Sequence, residues 1–174
     1  FCLACLVVLR TSSGWLESGL AVEVRGSGLF QRGALVGTIC AFLQLVIGAA
    51  WRHFGVREAL IAHVLWAVVV IVVLSWVAMW ALEQYPQLAL LTKFGRALAV
   101  LVGLQIILGG LALLVTVMGR EWPTTVRWVV PSAHVAVGAM LLACTLLTTL
   151  SSRRLLRPVA DRASAAATAV VTTP

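Results

Sequence analysis

The sequence predicts an all-α, polytopic membrane protein: an antiparallel four-helix transmembrane bundle preceded by a truncated N-terminal span. The 174-residue chain is 61% hydrophobic and 11% charged, whereas a soluble domain is about 45–50% apolar and about 25% charged. It contains four apolar runs of about 19–24 residues, enough to cross roughly 30 Å of hydrocarbon as helices. Lipid offers no partner to an unpaired backbone amide, so these runs must be helical.

The elements follow in order along the chain. Residues 1–9 are apolar, lack a basic start and a cleavage site, and are too short to span, which predicts the remnant of a transmembrane helix. Residues 10–32 are rich in glycine, serine and charge and predict a cytoplasmic loop. Residues 33–150 form the bundle, and residues 151–174 predict a basic, disordered cytoplasmic tail. The four spans are expected near residues 33–51, 59–82, 97–118 and 128–150.

The basic residues predict the orientation. The chain has a net charge of +7, and its basic residues lie between and after the apolar runs, which indicates contact with anionic lipid and no role in binding nucleic acid. Nine of them fall in residues 10–32, residues 83–96 and the tail, against four in the turns at 52–58 and 119–127. The positive-inside rule therefore predicts a cytoplasmic C-terminus.

Two histidines are the main functional candidates. His63 and His134 each lie about one turn into a span, counted from the same side of the membrane. Their helices are the second and fourth of an up-down bundle, so they are diagonal partners and the imidazoles can face each other across its axis. Two neutral imidazoles can ligate one haem iron and leave no position for oxygen. The pair therefore predicts a noncovalent, bis-histidine b-type haem site.

A repeated pattern surrounds this pair. Each histidine is followed four residues later by a small residue on its own helix face, which we interpret as clearance for a flat macrocycle. The preceding helices carry a glutamine followed by a glycine. The two copies are Gln44-x-x-x-Gly48 with His63-x-x-x-Ala67, and Gln105-x-x-x-Gly109 with His134-x-x-x-Gly138.

Charged residues at the same end complete the candidate set. Arg52, Arg57 and Arg127 are on the side where they can contact haem propionates. His53 either caps its helix or contacts a propionate, and the sequence leaves both roles open.

Other interpretations of these residues stay open. A histidine or glutamine in a membrane helix can also serve only to hydrogen-bond a neighbouring helix, as in a cofactor-free transporter or scaffold. A bis-histidine cytochrome that passes electrons to a partner is a further alternative. The chain has no nucleotide-binding or hydrolase motif. None of its six acidic residues lies inside a predicted span, which argues against a carboxylate proton relay.

The strings LQLVIGAAWRH, AHVLWAVVV, LQIILGGLALL and SAHVAVGAMLL resemble the second half of the haem A synthase family (CtaA type) over residues 1–155. The resemblance implies eight spans in two similar halves, conversion of haem O to haem A for cytochrome oxidase assembly, and a haem b between His63 and His134. It places the substrate-side histidines, a carboxylate and a cysteine pair in the first half, so this chain alone is expected to bind haem without turnover.

The resemblance also implies partners and a location. The expected partners are membrane lipid, haem, and either a haem O-supplying enzyme or a redox donor, and an oligomer is compatible with the pattern. It favours a bacterial cell membrane over the mitochondrial inner membrane.

Overall fold

The computed structural model describes residues 2–16, 21–24, 26–119 and 121–158. Its main elements are four helices that are each long and apolar enough to cross a membrane: α3 (Ser27–Phe54), α4 (Arg57–Gln84), α5 (Ala89–Val117) and α6 (Thr124–Leu155). The shorter elements are α1 (Cys2–Thr11), α2 (Ser13–Leu16), β1 (Val22–Val24) and β2 (Leu156–Pro158). The predicted all-α membrane bundle is confirmed.

The long helices extend beyond the predicted spans because the polar residues that flank each apolar run continue the helix. α3 starts six residues before the predicted position 33, and α6 ends five residues after the predicted position 150. The turn between α3 and α4 is short because Gly55 adopts a left-handed conformation (φ 65°) and donates its N–H to the carbonyl of Trp51. A residue without Cβ adopts this conformation without strain.

The four long helices form a ring in which each packs against its two neighbours, so α4 and α6 are diagonal, as are α3 and α5. We call the end where α3 and α5 finish and α4 and α6 begin the histidine end. The opposite end, where α6 finishes, is the tail end.

The tail end is more ordered than the sequence predicts. Residues 151–155 continue α6, and β2 then pairs in parallel with β1, with Val22 opposite Leu156. The predicted disorder is therefore wrong for residues 151–158, and the predicted loop at 10–32 contains α2, β1 and the start of α3. One physical reason is Gln31, whose Nε2 donates to the carbonyls of Ser152 (3.1 Å) and Leu156 (2.9 Å). Residues 159–174 lie outside the described residues.

The segment predicted to be a span remnant is the helix α1, which packs against α6. Just beyond it, the ring of Trp15 lies between two guanidinium groups. The Cζ atom of Arg10 is 5.9 Å from the ring centre and that of Arg154 is 4.2 Å from it. Such cation–π contacts attach the first described helix to the end of α6.

The two halves of the bundle are packed differently. The tail half has a dense core in which Phe30, Leu74 and Leu98 are at most 1% exposed, and the ring of Phe30 lies 5.1 Å from that of Tyr85. In the histidine half, residues 42–54, 57–69 and 124–137 contain no fully buried side chain. The histidine half thus has little apolar core of its own, and polar side chains lie between its helices.

Candidate functional site

The two predicted histidines face each other across the bundle. His63 on α4 and His134 on α6 are both half-buried. Their ring centres are 6.2 Å apart and their ring planes are inclined at 84°. The prediction that diagonal helices bring these two side chains together at one depth is confirmed in this geometry.

The α3–α4 pair holds His63 through Gln44 and Gly48. The side-chain Nε2 of Gln44 donates to the carbonyl of His63 (3.1 Å), which fixes the orientation of the amide. The same Nε2 lies 3.3 Å from His63 Nε2, and His63 Nδ1 lies 3.1 Å from the carbonyl of Gln44. His63 must therefore donate from Nδ1 and keep the lone pair on Nε2, since a carbonyl only accepts. This is the tautomer that presents Nε2 to a metal.

Gly48 is required by this arrangement. A Cβ at this position would lie 2.8 Å from Cε1 and 3.0 Å from Nδ1 of His63. The predicted spacing of glutamine and glycine by four residues is therefore explained: the glutamine bonds the ring while the glycine leaves room for it.

The α5–α6 pair repeats the arrangement with looser contacts. Nε2 of Gln105 lies 3.5 Å from Nε2 of His134, and a Cβ at Gly109 would lie 3.2 Å from His134 Cε1. Nδ1 of His134 is buried and has no hydrogen-bond partner, unlike Nδ1 of His63. The repeat is thus present in space, and one of its two imidazoles is held less tightly.

The small residues that follow the histidines differ from each other. Ala67 is half-buried one turn beyond His63. Gly138 is buried, and a Cβ there would meet Nε2 of Gln105 at 3.1 Å and Cδ2 of Leu45 at 3.4 Å. In this structure the space beside Gly138 admits the amide of Gln105, and the interpretation of Gly138 as clearance for a macrocycle stays a prediction.

Three buried polar atoms at this site have no hydrogen-bond partner in the part of the chain that the structure describes. They are Oε1 of Gln44, Oε1 of Gln105 and Nδ1 of His134. Leaving a buried polar atom unpaired costs about 1–3 kcal/mol, and the cost is not recovered from water inside a membrane. Helix-to-helix bonding among the described residues thus leaves two acceptors and one ring nitrogen around the facing imidazoles unused.

The charged candidate residues lie at the histidine end, and no described contact joins them to the two histidines or the two glutamines. Arg52 and His53 are exposed on the last turn of α3. Arg57 and Arg127 are exposed on the first turns of α4 and α6. The predicted contact of these side chains with propionates stays a prediction.

Pro131 is a residue of this region that the sequence reasoning missed. It lies inside α6, three residues before His134. Proline has no N–H, so it cannot donate to the carbonyl of Arg127 four residues earlier. A proline within an apolar run, one turn from a histidine, was the available signal.

The separation of the two ring centres can be compared with that of two imidazoles bound to one metal ion. Rings on opposite sides of a metal have centres about 6.4 Å apart, from about 2 Å for each metal–nitrogen bond and about 1.2 Å from each nitrogen to its ring centre. The observed value is 6.2 Å. Within the described ranges no group of three or more His, Cys, Asp or Glu side chains converges.

No family model, curated protein or solved structure matches the chain. The class that the structure defines is a polytopic all-α membrane bundle with two facing histidines.

Proposed function

We propose that this bundle holds one b-type haem noncovalently between His63 and His134, as the haem b-binding half of a haem A synthase-like membrane oxidoreductase. The observation that carries the proposal is the opposed pair of imidazoles, 6.2 Å apart, each with an Nε2 lone pair within reach of an amide donor. When bound, haem supplies one-electron redox chemistry.

The residues of the chain bind and orient the ligand. The carbonyl of Gln44 accepts from Nδ1 of His63, which fixes the tautomer and raises the basicity of Nε2 as a ligand. Gln44 and Gln105 contact the same Nε2 atoms that would ligate iron, so ligation requires each amide to move away. After this movement, the Oε1 atoms of Gln44 and Gln105 could accept hydrogen bonds from donors that they do not reach in this structure.

The ligand set favours electron transfer over oxygen chemistry. If His63 and His134 both held the iron, they would leave it no position for oxygen or substrate. In a haem A synthase-like protein this half would carry electrons, while the methyl oxidation of haem O would need the other half. The similarity of the two Gln–His pairs supports the family proposal, because both make the same contact in space.

A second candidate is a bis-histidine b-type cytochrome that passes electrons to another membrane protein. Two histidine ligands that leave no open position on the iron would also suit such a cytochrome. Co-expression of the chain with a haem O source and with the first half of a haem A synthase separates the two candidates, since only a haem A synthase-like second half would then support formation of haem A.

The topology is part of the proposal. The tail end would face the cytoplasm of a bacterial cell, because most basic residues lie there. The histidine end, with its exposed arginines, would lie at the opposite surface.

Haem reconstitution of the purified chain tests the proposal. The reduced-minus-oxidised spectrum should show a bis-imidazole b-type haem at one per chain, and His63→Ala or His134→Ala should each abolish it. His53→Ala is the matched control for loss of a histidine: His53 is exposed at the same end and neither of its two predicted roles ligates the iron, so the bis-imidazole bands should be retained. Helix content is measured by circular dichroism in every variant. A normal spectrum in a folded His63→Ala and His134→Ala variant would refute the assignment.

A further inference from the structure

A second polar site lies at the tail end, far from the histidines. A pocket of about 440 Å³ opens between the start of α3 and β2. Its lining includes three exposed arginines, Arg32, Arg153 and Arg157, together with the buried Leu156. These arginines come from parts of the chain more than 100 residues apart, so the fold brings them together.

The hydrogen bonds of Gln31 build this pocket. Its side chain, which also lines the pocket, donates to the carbonyls of Ser152 and Leu156. The parallel pairing of β1 with β2 adds a second attachment, with Glu23 opposite Arg157. The end of α6 and the strand after it are thereby held against the first turns of α3. Arg32, Arg153 and Arg157 consequently line the same pocket.

The charge of the pocket is not balanced by the described residues. No ion pair joins Arg32, Arg153 or Arg157 to a carboxylate in the described part of the chain, and Glu23 makes none despite its position opposite Arg157. Three neighbouring guanidinium groups repel one another and attract an anion. Their planar donor geometry fits the oxygen pairs of a phosphate group.

The surface next to the pocket is apolar. Leu29, Val36 and Leu43 recur every seven residues along one face of α3 and are 57%, 47% and 39% exposed. Arg32 lies between Leu29 and Val36 along the same face of α3. An anion whose charge lies in the pocket can therefore extend an apolar chain along α3.

We propose that this pocket binds the phosphate headgroup of an anionic phospholipid, with its acyl chains along the exposed face of α3. Both parts of such a ligand have a counterpart on the protein: arginines at the level where the apolar spans end, and an apolar surface below them. A free phosphate ion has no apolar part that could contact the exposed face of α3. The site is independent of haem, so it stands whether or not the histidines bind a cofactor.

The experiment measures lipid retention by native mass spectrometry on the full chain in a neutral detergent. The probes are phosphatidylglycerol, phosphatidylcholine and glycerol phosphate. We expect phosphatidylglycerol to bind preferentially at one per chain. The variant R32Q/R153Q/R157Q should lose about a hundredfold in affinity, since each arginine near a membrane surface contributes about a factor of five.

The matched control is K93Q/R96Q. Lys93 and Arg96 line a smaller pocket at the same end of the bundle, so this variant removes charge from the same surface outside the proposed site. Its affinity should change less than twofold. If the triple variant does not fold, the affinity of single variants at each arginine provides the same test. Equal losses in both sets, equal binding of phosphatidylcholine, or equally tight binding of glycerol phosphate would each overturn the proposal.

Discussion

Substitution of the two glycines beside the histidines tests how the bundle positions its candidate ligands. At Gly48, the Cβ of an alanine would lie 2.8 Å from Cε1 of His63; at Gly109, it would lie 3.2 Å from Cε1 of His134. Carbon atoms in contact prefer about 3.5–4.0 Å. Gly48→Ala must therefore move the imidazole of His63 by about 1 Å, and Gly109→Ala that of His134 by about 0.5 Å.

The displacement has different costs at the two positions. At His63 it breaks the bond from Nδ1 to the carbonyl of Gln44, now 3.1 Å long, which costs about 1–3 kcal/mol for the buried groups left unpaired. Haem affinity should then fall about 5- to 100-fold, at tenfold for each 1.4 kcal/mol. Nδ1 of His134 has no partner to lose, so Gly109→Ala should cost about fivefold or less. The gain in helix propensity of up to about 1 kcal/mol offsets part of the loss in stability.

Haem titration followed by absorbance measures both affinities, with thermal unfolding as the stability readout. Gly110→Ala is the matched control, because nothing lies within 4 Å of a Cβ at that position, and it should leave the affinity unchanged. An effect of Gly109→Ala as large as that of Gly48→Ala would refute the role given to the Nδ1 bond. Unchanged affinity in Gly48→Ala would show that the ring is not held as described.

Three further predictions concern other parts of the bundle. Gln105→Leu should raise haem affinity about fivefold in the same titration, because a weak amide contact to His134 Nε2 no longer competes with ligation; a lower affinity would mean that the amide stabilises the bound form. Leu98→Ala should lower the free energy of unfolding by about 2–5 kcal/mol, since Leu98 is fully buried, and should leave the haem spectrum unchanged. An altered spectrum would show that packing in the tail half affects the histidine half. Burial raises the pKa of Tyr85, and a hydrogen bond with Trp80 partly opposes this shift. The stability that the neutral Tyr85 side chain contributes is therefore complete below pH about 10 and is lost as the pH rises through the higher pKa of the folded state. In alkaline unfolding, the Tyr85→Phe variant should lose less stability over that pH range than the unchanged chain.

The sequence was sufficient for the spans and for the pairing of His63 with His134. Apolar length determines where a chain can cross lipid, and helices of an up-down bundle meet their partners in a fixed order. The repeated glutamine and glycine were visible as well, although their contacts were not. A spacing of four shows that two residues share a face, and it does not show which ring they contact.

The order of the tail end and the contact of Gly138 could not be predicted from the sequence, because both depend on residues distant along the chain. The order of residues 151–158 depends on Gln31, more than 120 residues away along the chain, and on strand pairing with residues 22–24. Composition alone makes that basic segment resemble a disordered tail. Gly138 admits the side chain of Gln105 from another helix, a contact that no pattern within α6 indicates.

Electron paramagnetic resonance of the oxidised, haem-loaded protein tests the central claim most directly. If His63 and His134 held the iron with their ring planes still inclined at 84°, the oxidised protein would give one low-spin ferric signal of large anisotropy. His63→Ala and His134→Ala should each remove that signal. A high-spin signal in the unchanged protein, or a low-spin signal that survives both substitutions, would contradict ligation by this pair.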